Sequence, residues 1–476
     1  MKSRQLHYSS AGDQLDRDHS CLYDRNTYLY GLYVLARMKH VRILPQNDTT
    51  NGWSAILPPR QPHAALSQDV TADWVVVGGG LAGLAAARRL GENRPNERVV
   101  LVEADVVGEG AHGRNSGFAI DIPHNVGSSM DEMDHAHRHL RLARTAIEYL
   151  SEQVQRFGIA CDWDAAGKFH AAVSDKGIEG VLKPTLRTLK SLNEPHEWLE
   201  GRALHDKLGF SHFKAGIYTP GTVLLNPVAL TRGLADTLPD NVTVFEKTPV
   251  TALEHEPQVR LKTPYGTVSA KKMILAVNVF AEQFGFYRDR LIPLAAHASL
   301  TRCLTPAEQT AMGGLHTWGL TPANAFAGIT MRKTSDQRIL IRQNMTYAPS
   351  LRSDDASRQA VRAVHQRLFD ERFPKLNGVT MEHTWTGFIC VSRNGTQGFG
   401  QIAPNVYSAV CQNGVGLTKG TISGMLAADL ACETGNPLIE DMLKLGTPNR
   451  LPPRPFLDVG IRARFAWELW SARQEA

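Results

Sequence analysis

Ala72-Asp-Trp-Val-Val-Val-Gly78-Gly-Gly80-Leu-Ala-Gly83 is an apolar strand that runs straight into a glycine turn and an alanine-rich helix reaching to about Leu90. A second apolar run, Val99-Val-Leu-Val102, ends at Glu103, twenty residues beyond Gly83. Strand, turn, helix, strand and acid at this spacing make a βαβ unit that binds a dinucleotide. Gly78 permits the tight turn, Gly80 lets backbone approach a pyrophosphate, and Gly83 lets helix and strand pack closely. The helix start at Leu81 and Ala82 draws the phosphates, while Glu103, followed by Ala104, takes ribose hydroxyls. This unit by itself serves NAD or FAD.

The rest of the composition excludes several classes. A chain of 476 residues has room for about three structural units, with 42% hydrophobic and 21% charged residues as in ordinary globular proteins. Against 47 Asp and Glu stand 52 Lys and Arg, a net charge of +5 with no concentrated basic stripe, so nucleic acid is not an expected partner. No 18-residue apolar run is present to make a transmembrane segment. Six scattered cysteines without a Cys-x-x-Cys pair suggest neither a zinc site nor a disulfide framework, and fit a cytoplasmic location. Asp131, His135 and His139 stand at i, i+4, i+8 but are interleaved with Asp134, His137 and Arg138, which reads as a solvated helix face rather than a metal site. Five of eleven tyrosines precede residue 34, and Tyr28 to Met38 reads as a docked arm within an irregular extension wrapped over a domain, with a peripheral membrane contact as the lesser alternative.

Two further glycine-rich segments bear on the cofactor. Gly108-Glu-Gly110-Ala-His112-Gly113-Arg114-Asn115-Ser116-Gly117 follows the second strand, where its backbone would lie along a large flat ring system. Near the other end, Val406-Tyr-Ser-Ala-Val410 leads through Asn413-Gly414-Val415-Gly416 into a helix beginning near Leu417 and Thr418. Such a helix start stabilises negative charge at the edge of a reduced flavin.

With Val75 to Gly83, Gly113 to Gly117, Leu275-Ala-Val-Asn278, Trp385-Thr-Gly-Phe-Ile389, Asn394, Phe399-Gly400 and Gly414 to Gly420, most of residues 53 to 476 resembles the D-amino-acid oxidase, glycine oxidase and sarcosine oxidase superfamily of FAD enzymes, and within it the gamma-glutamylputrescine oxidoreductase type. The resemblance implies an α/β fold: a discontinuous Rossmann-like FAD-binding domain (71–125, 226–280, 386–440), a mixed-sheet substrate domain (126–225, 281–385), an N-terminal extension (1–70) and a C-terminal tail (441–476). It also implies cofactor contacts from Val250 and Asn394. Related enzymes hold a substrate carboxylate with a lysine where Thr418 aligns, and activate oxygen with a lysine where apolar Leu340 aligns. Both roles are therefore in doubt in this chain. Arg342 shares a strand face with Leu340 and offers anion recognition instead, with a solvated or structural charge as the even alternative.

These residues are read as an FAD-dependent enzyme that oxidises a C–N single bond of an amine or amino-acid derivative by hydride transfer to flavin N5, the imine then hydrolysing to a carbonyl. The partners would be a small-molecule amine and oxygen or another electron acceptor. Covalent attachment through His112 or Cys390 is the lesser reading. A flavin hydroxylase or a non-catalytic flavoprotein subunit is the alternative, the former weakened because Gln412-Asn413 stands where a Gly-Asp motif would support it.

Overall fold

The computed structural model describes residues 38–46, 48–122 and 130–475. The stretch from Tyr28 to Arg37, and Cys21, lie outside the described residues. Two sheets organise the chain. In the first, the strand Gly266–Leu275 runs parallel to Val70–Val77 along its length. Its other edge is shared: Val259–Thr263 pairs antiparallel with its first half, and Val406–Val410 pairs parallel with its last residues. Val70–Val77 continues the parallel run to Val99–Val102 and then to Val242–Phe245. Covered on both faces, these central strands are continuous apolar runs rather than alternating ones. Thr267–Ala270 and Met273–Leu275 belong to one strand, in which Lys271 and Lys272 keep the ladder with Trp74 stacked under the Lys272 ammonium.

The second sheet has eight strands in the order Met381–Val391, Ile292–Thr301, Ile339–Tyr347, Thr330–Lys333, Trp318–Pro322, Lys168–Ala172, Ala215–Thr219 and Glu197–Glu200. The helix Asp355–Arg372, N-capped by the Asp354 carboxylate on Ser357 N–H, packs on its outer face. The Met381–Val391 strand crosses the boundary expected at residue 386. Pro184 does not break its helix. The turn before it, Ile178–Leu182, widens to a π-helix and Lys183–Ser191 continues from there, so the carbonyl that the proline ring would strike is relieved.

Residues 38–66 do not float. Lys39–His40 adds an edge strand beside Ala252 and Leu253, and Asn51 caps a short helix, Gly52–Ala55, that buries Trp53 between the two sheets. Asn51 Nδ2 donates to Gly113 O, and Trp53 Nε1 donates to Asn115 O at 2.8 Å, tying this segment to the second glycine loop.

The helices Leu81–Asn93 and Gly416–Ala431 pack against each other on one face of the first sheet, with Met130–Phe157 beside them. Their approach is set by Gly424, where an added Cβ would lie 2.0 Å from Ala82 O. Gly424→Ala therefore forces the helices apart, and overpacking of this kind costs about 1–3 kcal/mol. Thermal denaturation of the variant is expected to show a midpoint several degrees below wild type; an unchanged midpoint would mean that the contact has slack.

Candidate functional site

A cavity of about 300 Å³ lies between the sheets and is lined from several widely separated parts of the chain. Its first end is the βαβ opening. Gly78 (φ +104) turns the chain, and a Cβ at Gly83 would fall 1.8 Å from Gly78 O, so both glycines are required by geometry. Gly80 precedes the Leu81–Asn93 helix with no side-chain cap and no acid in the first turn. The free N–H groups of that helix start open beside Gly78, Gly80, Leu81 and Ala82 on the cavity wall. Glu103 also lines the cavity, and its carboxylate already accepts from Gly79 N (2.6 Å) and Asp105 N (3.0 Å). Burial pushes this carboxyl up against those two hydrogen bonds. Glu103 thus braces the glycine turn as well as facing the space where a ribose would sit, and Ala104, Thr248 and Val250 complete that end.

The second glycine loop forms one side. Gly110, His112, Arg114 and Asn115 line the cavity. Gly113 does not. Its place is packing, since a Cβ there would lie 1.8 Å from Gly108 O. His112 Nε2 accepts from Gly108 N at 3.2 Å, which leaves the ring proton on Nδ1 beside Gly80. Burial holds this imidazole neutral, its pKa lowered to about 4. Arg114 donates to Glu109 O, to Thr386 O of the second sheet and to the Asp48 carboxylate (2.7 Å). Asp48 is in turn paired with Arg358 of the outer helix at 3.1 Å. Asn115 closes the loop on itself through His112 O and Gly117 N. Ser116 lies off the cavity, its carbonyl accepting from Arg332.

At the far end, Gly414 (φ +78) and Gly416 lead into the Gly416–Ala431 helix, again without a side-chain cap or an acid in its first turn. Gln412, Gly414, Gly416, Gly420, Ile389 and Cys390 line this end. Asn413 stands behind, accepting from Ser392 N and donating to Thr396 O, and Val415 and Leu417 pack into apolar clusters. Asn394 is exposed and holds the chain at Thr447 and Asn449, away from the cavity.

The three residues expected to act on substrate are not placed together on the cavity wall. Thr418 is fully buried and its hydroxyl donates to Ile120 O, a structural tie. Leu340 packs with Trp53, Val228 and Trp385 in an apolar cluster. Arg342 donates to Thr330 Oγ1 (2.7 Å) and Ala325 O (3.2 Å), with no carboxylate partner among the described residues, and burial pushes its guanidinium down to about 10. Across the inner face of the second sheet, Arg342, Thr330, Thr321 and His170 form one row in register, His170 Nδ1 lying 3.1 Å from Thr321 Oγ1. Lys168, two residues before His170 on the same strand face, is buried near Asp121 with its ammonium pushed down to about 8. Lys419 is likewise lowered to about 8 by burial and faces His139 of the Met130–Phe157 helix.

Sequence reasoning missed Val41, Ile43 to Gln46, Asp48, Leu351 to Ser353, Lys168 and Lys419, and it quoted Asn278 only within a motif, with no role. Only Lys168 carried a local signal, a charged residue on the same strand face as His170 in Lys168-Phe-His-Ala-Ala172.

An FAD fits these residues on two observations. Asn278 Oδ1 is buried without a partner among the described residues on a side chain that lines the cavity. Two uncapped helix starts open on the same space, and each wants an anion or an electron-rich edge. The Cys390 thiol, buried against Cys411, is pushed up and so is a poor nucleophile for a covalent link.

The imidazoles of His112, His139, His297 and His365 have pKa values lowered to about 4, and that of His170 to about 3, burial being the first cause in each. An unfolded chain takes up protons at these groups near pH 6.5 while the folded chain refuses them. Their contribution to stability is therefore complete above pH 6.5 and is lost as pH falls from 6.5 to about 4. Melting curves between pH 7.5 and 4.5 (values on the order of the histidine range) should show a midpoint that falls with pH; a midpoint that rises on acidification would contradict the buried, neutral assignment.

Residues 73–430 match the family described as DAO, FAD dependent oxidoreductase. The chain is 26% identical over 374 residues to a probable oxidoreductase, OrdL, of Haemophilus influenzae, covering 76% of this chain and 84% of the relative. It is 27% identical over 400 residues to the gamma-glutamylputrescine oxidoreductase of Escherichia coli, covering 80% and 88%. Among solved structures it is similar in fold to glycine oxidase from Geobacillus kaustophilus, with a TM-score of 0.67 at 19% identity over 80% of this chain and 100% of that one. The L-amino acid deaminase from Proteus vulgaris follows the same fold with a TM-score of 0.60 at 18% identity over 80% and 93%. With its glycine turns, paired helix starts and matched span, this chain belongs to the DAO family of FAD-dependent oxidoreductases.

Proposed function

We propose that this chain oxidises the C–N single bond of an amine that carries an anionic group away from the reacting carbon. The observation that carries this reading is Arg342, a half-buried guanidinium on the inner face of the second sheet with no carboxylate partner among the described residues. A partly desolvated charge without its opposite favours an incoming carboxylate, which would supply it through two parallel hydrogen bonds. Lys168 on the same face adds a second positive charge. Thr418, turned to Ile120 O, offers nothing to an α-carboxylate, and the Lys419 ammonium faces His139.

The residues that would hold FAD are Gly78, Gly80 and Glu103 for its nucleotide half, and Gly110, His112, Asn278, Gly414 and Gly416 for its flavin half and linker. When bound, FAD supplies the two-electron acceptor for the hydrogen leaving the carbon attached to nitrogen. The chain's own residues choose the substrate form. Arg342 and Lys168 repel an ammonium ion while attracting the distant anion, so they favour the neutral amine whose lone pair assists loss of hydrogen. The imine released is hydrolysed by water to carbonyl and amine. Leu340, enclosed by Trp53 and Trp385, itself offers no cation for oxygen activation, and its cross-strand neighbour Arg332 is tied to Gly117 O and Leu225 O, which supports an acceptor other than oxygen.

Anaerobic reduction of the bound flavin, followed in the visible spectrum, separates the substrate classes. Amines with a remote carboxylate, gamma-glutamylputrescine among them, should reduce it fastest, and glycine and D-alanine slowest. Arg342→Ala should raise the KM of the carboxylate-bearing amine by one to two powers of ten, on the order of a lost charge-assisted hydrogen bond, with kcat changed less. Fastest reduction by glycine, or an Arg342→Ala enzyme with unchanged KM, would overturn the substrate assignment.

A further inference from the structure

The last helix, Phe456–Ser471, is held to the body along one side only. Leu457 is buried, Phe465 stacks edge-on against Phe326 with centroids 5.0 Å apart, and Asp458 accepts from Tyr347 Oη at 2.6 Å. The other side is an apolar stripe at i, i+3, i+7, i+11 and i+14: Phe456, Val459, Ala463, Trp467 and Trp470. Its large members stay open to solvent, Phe456 at 73%, Val459 at 67%, Trp467 at 52% and Trp470 at 65%. A folded chain does not usually leave two tryptophans and a phenylalanine in one uncovered row, and such a row marks a surface that something else covers.

The charges around the stripe say what that is. Arg462, Arg464 and Arg473 are exposed beside it, with Arg450 and Arg454 exposed in the segment leading into it. Arg464 lies over the Trp467 ring at 4.8 Å and Arg473 over Trp470 at 5.2 Å, so cation and ring are presented together. The nearby acids are spent. Asp458 is held by Tyr347, Glu468 pairs with Arg464, and Glu475 is buried on the N–H groups of Val173 and Ser174.

We infer that the Phe456–Ser471 helix docks in the plane of an anionic lipid bilayer surface, with Phe456, Val459, Trp467 and Trp470 entering the headgroup and acyl boundary and the arginines meeting lipid phosphates. Tryptophan with one polar N–H and a large apolar ring favours that boundary, and basic residues beside an apolar helix face add attraction to anionic lipid. A two-fold pairing with a second copy would bring arginine against arginine across the stripe. Among the described residues no helix is long and apolar enough to cross a membrane, so the helix lies on the surface rather than through it. The inference is independent of the cavity and of its substrate.

The full-length, flavin-loaded chain is floated with vesicles of phosphatidylcholine alone and of phosphatidylcholine with phosphatidylglycerol. Three forms are compared: the native chain, Trp467→Glu with Trp470→Glu, and Arg462→Glu with Arg473→Glu, the retained flavin absorbance reporting that each is folded. The native chain should float with the anionic vesicles and less so at high salt. The tryptophan pair should lower the partition at least about tenfold, through lost apolar insertion. The arginine pair should lower it by about tenfold or more on anionic vesicles only. Failure of the native chain to float, equal flotation of the tryptophan variant, or a concentration-dependent dimer broken by that variant would each overturn the inference.

Discussion

The close approach of two helices at Gly424 and Ala82 is the constraint on which the site depends. Because a side chain at residue 424 would strike Ala82 O, the helices Leu81–Asn93 and Gly416–Ala431 run side by side with backbone against backbone. Asp429 locks the far end of the pair by accepting from Arg89 at 2.7 Å and from Asn93. Both helices begin at strands of the same sheet, so both uncapped starts open on one cavity. In the proposed placement one start would face the phosphates and the other the ring. Backbone dipoles thus point into the cavity at both ends, and Glu103 keeps the first turn in shape by accepting from Gly79 N.

The second constraint is the clamp around Arg114. Its guanidinium reaches Asp48 of the N-terminal segment and Thr386 O of the second sheet, and Trp385 Nε1 donates to Arg114 O. Asp48 passes the connection to Arg358 on the outer helix. The second glycine loop is therefore held between both sheets by charge-assisted bonds in a buried setting, where such bonds are strong if fully partnered. This explains how Val41, Ile43 to Gln46 and Asp48, which follow one short edge strand, come to line the cavity.

What could be read from the sequence divides by range. Gly78, Gly80, Gly83 and Glu103 were legible because the turn, the helix start and the acid lie within one βαβ unit, where backbone geometry alone decides the residue types. The second glycine loop was legible for the same reason, although Gly113 turns out to serve packing and Ser116 lies off the cavity. Asn394 and Thr418 were drawn from resemblance, and each is occupied elsewhere, one at Thr447 and Asn449, the other at Ile120 O. Lys419 was hidden by its neighbour: only the helical phase shows that the buried ammonium belongs to residue 419 and faces His139. Asp48 has no local signature, since its role arises from contacts made across long stretches of chain, and Asn278 stood in a quoted motif without an assigned role.

Both helix starts and the space between them would hold one cofactor, with a flavin at one end and a nucleotide at the other. Calorimetric titration of flavin-stripped protein with FAD, FMN, ADP and NAD tests this directly. Tight one-to-one binding of FAD is expected, with markedly weaker binding of FMN and ADP, which each engage one helix start, and none of NAD comparable to FAD. NAD binding as tight as FAD, or FMN binding equal to FAD, would contradict it.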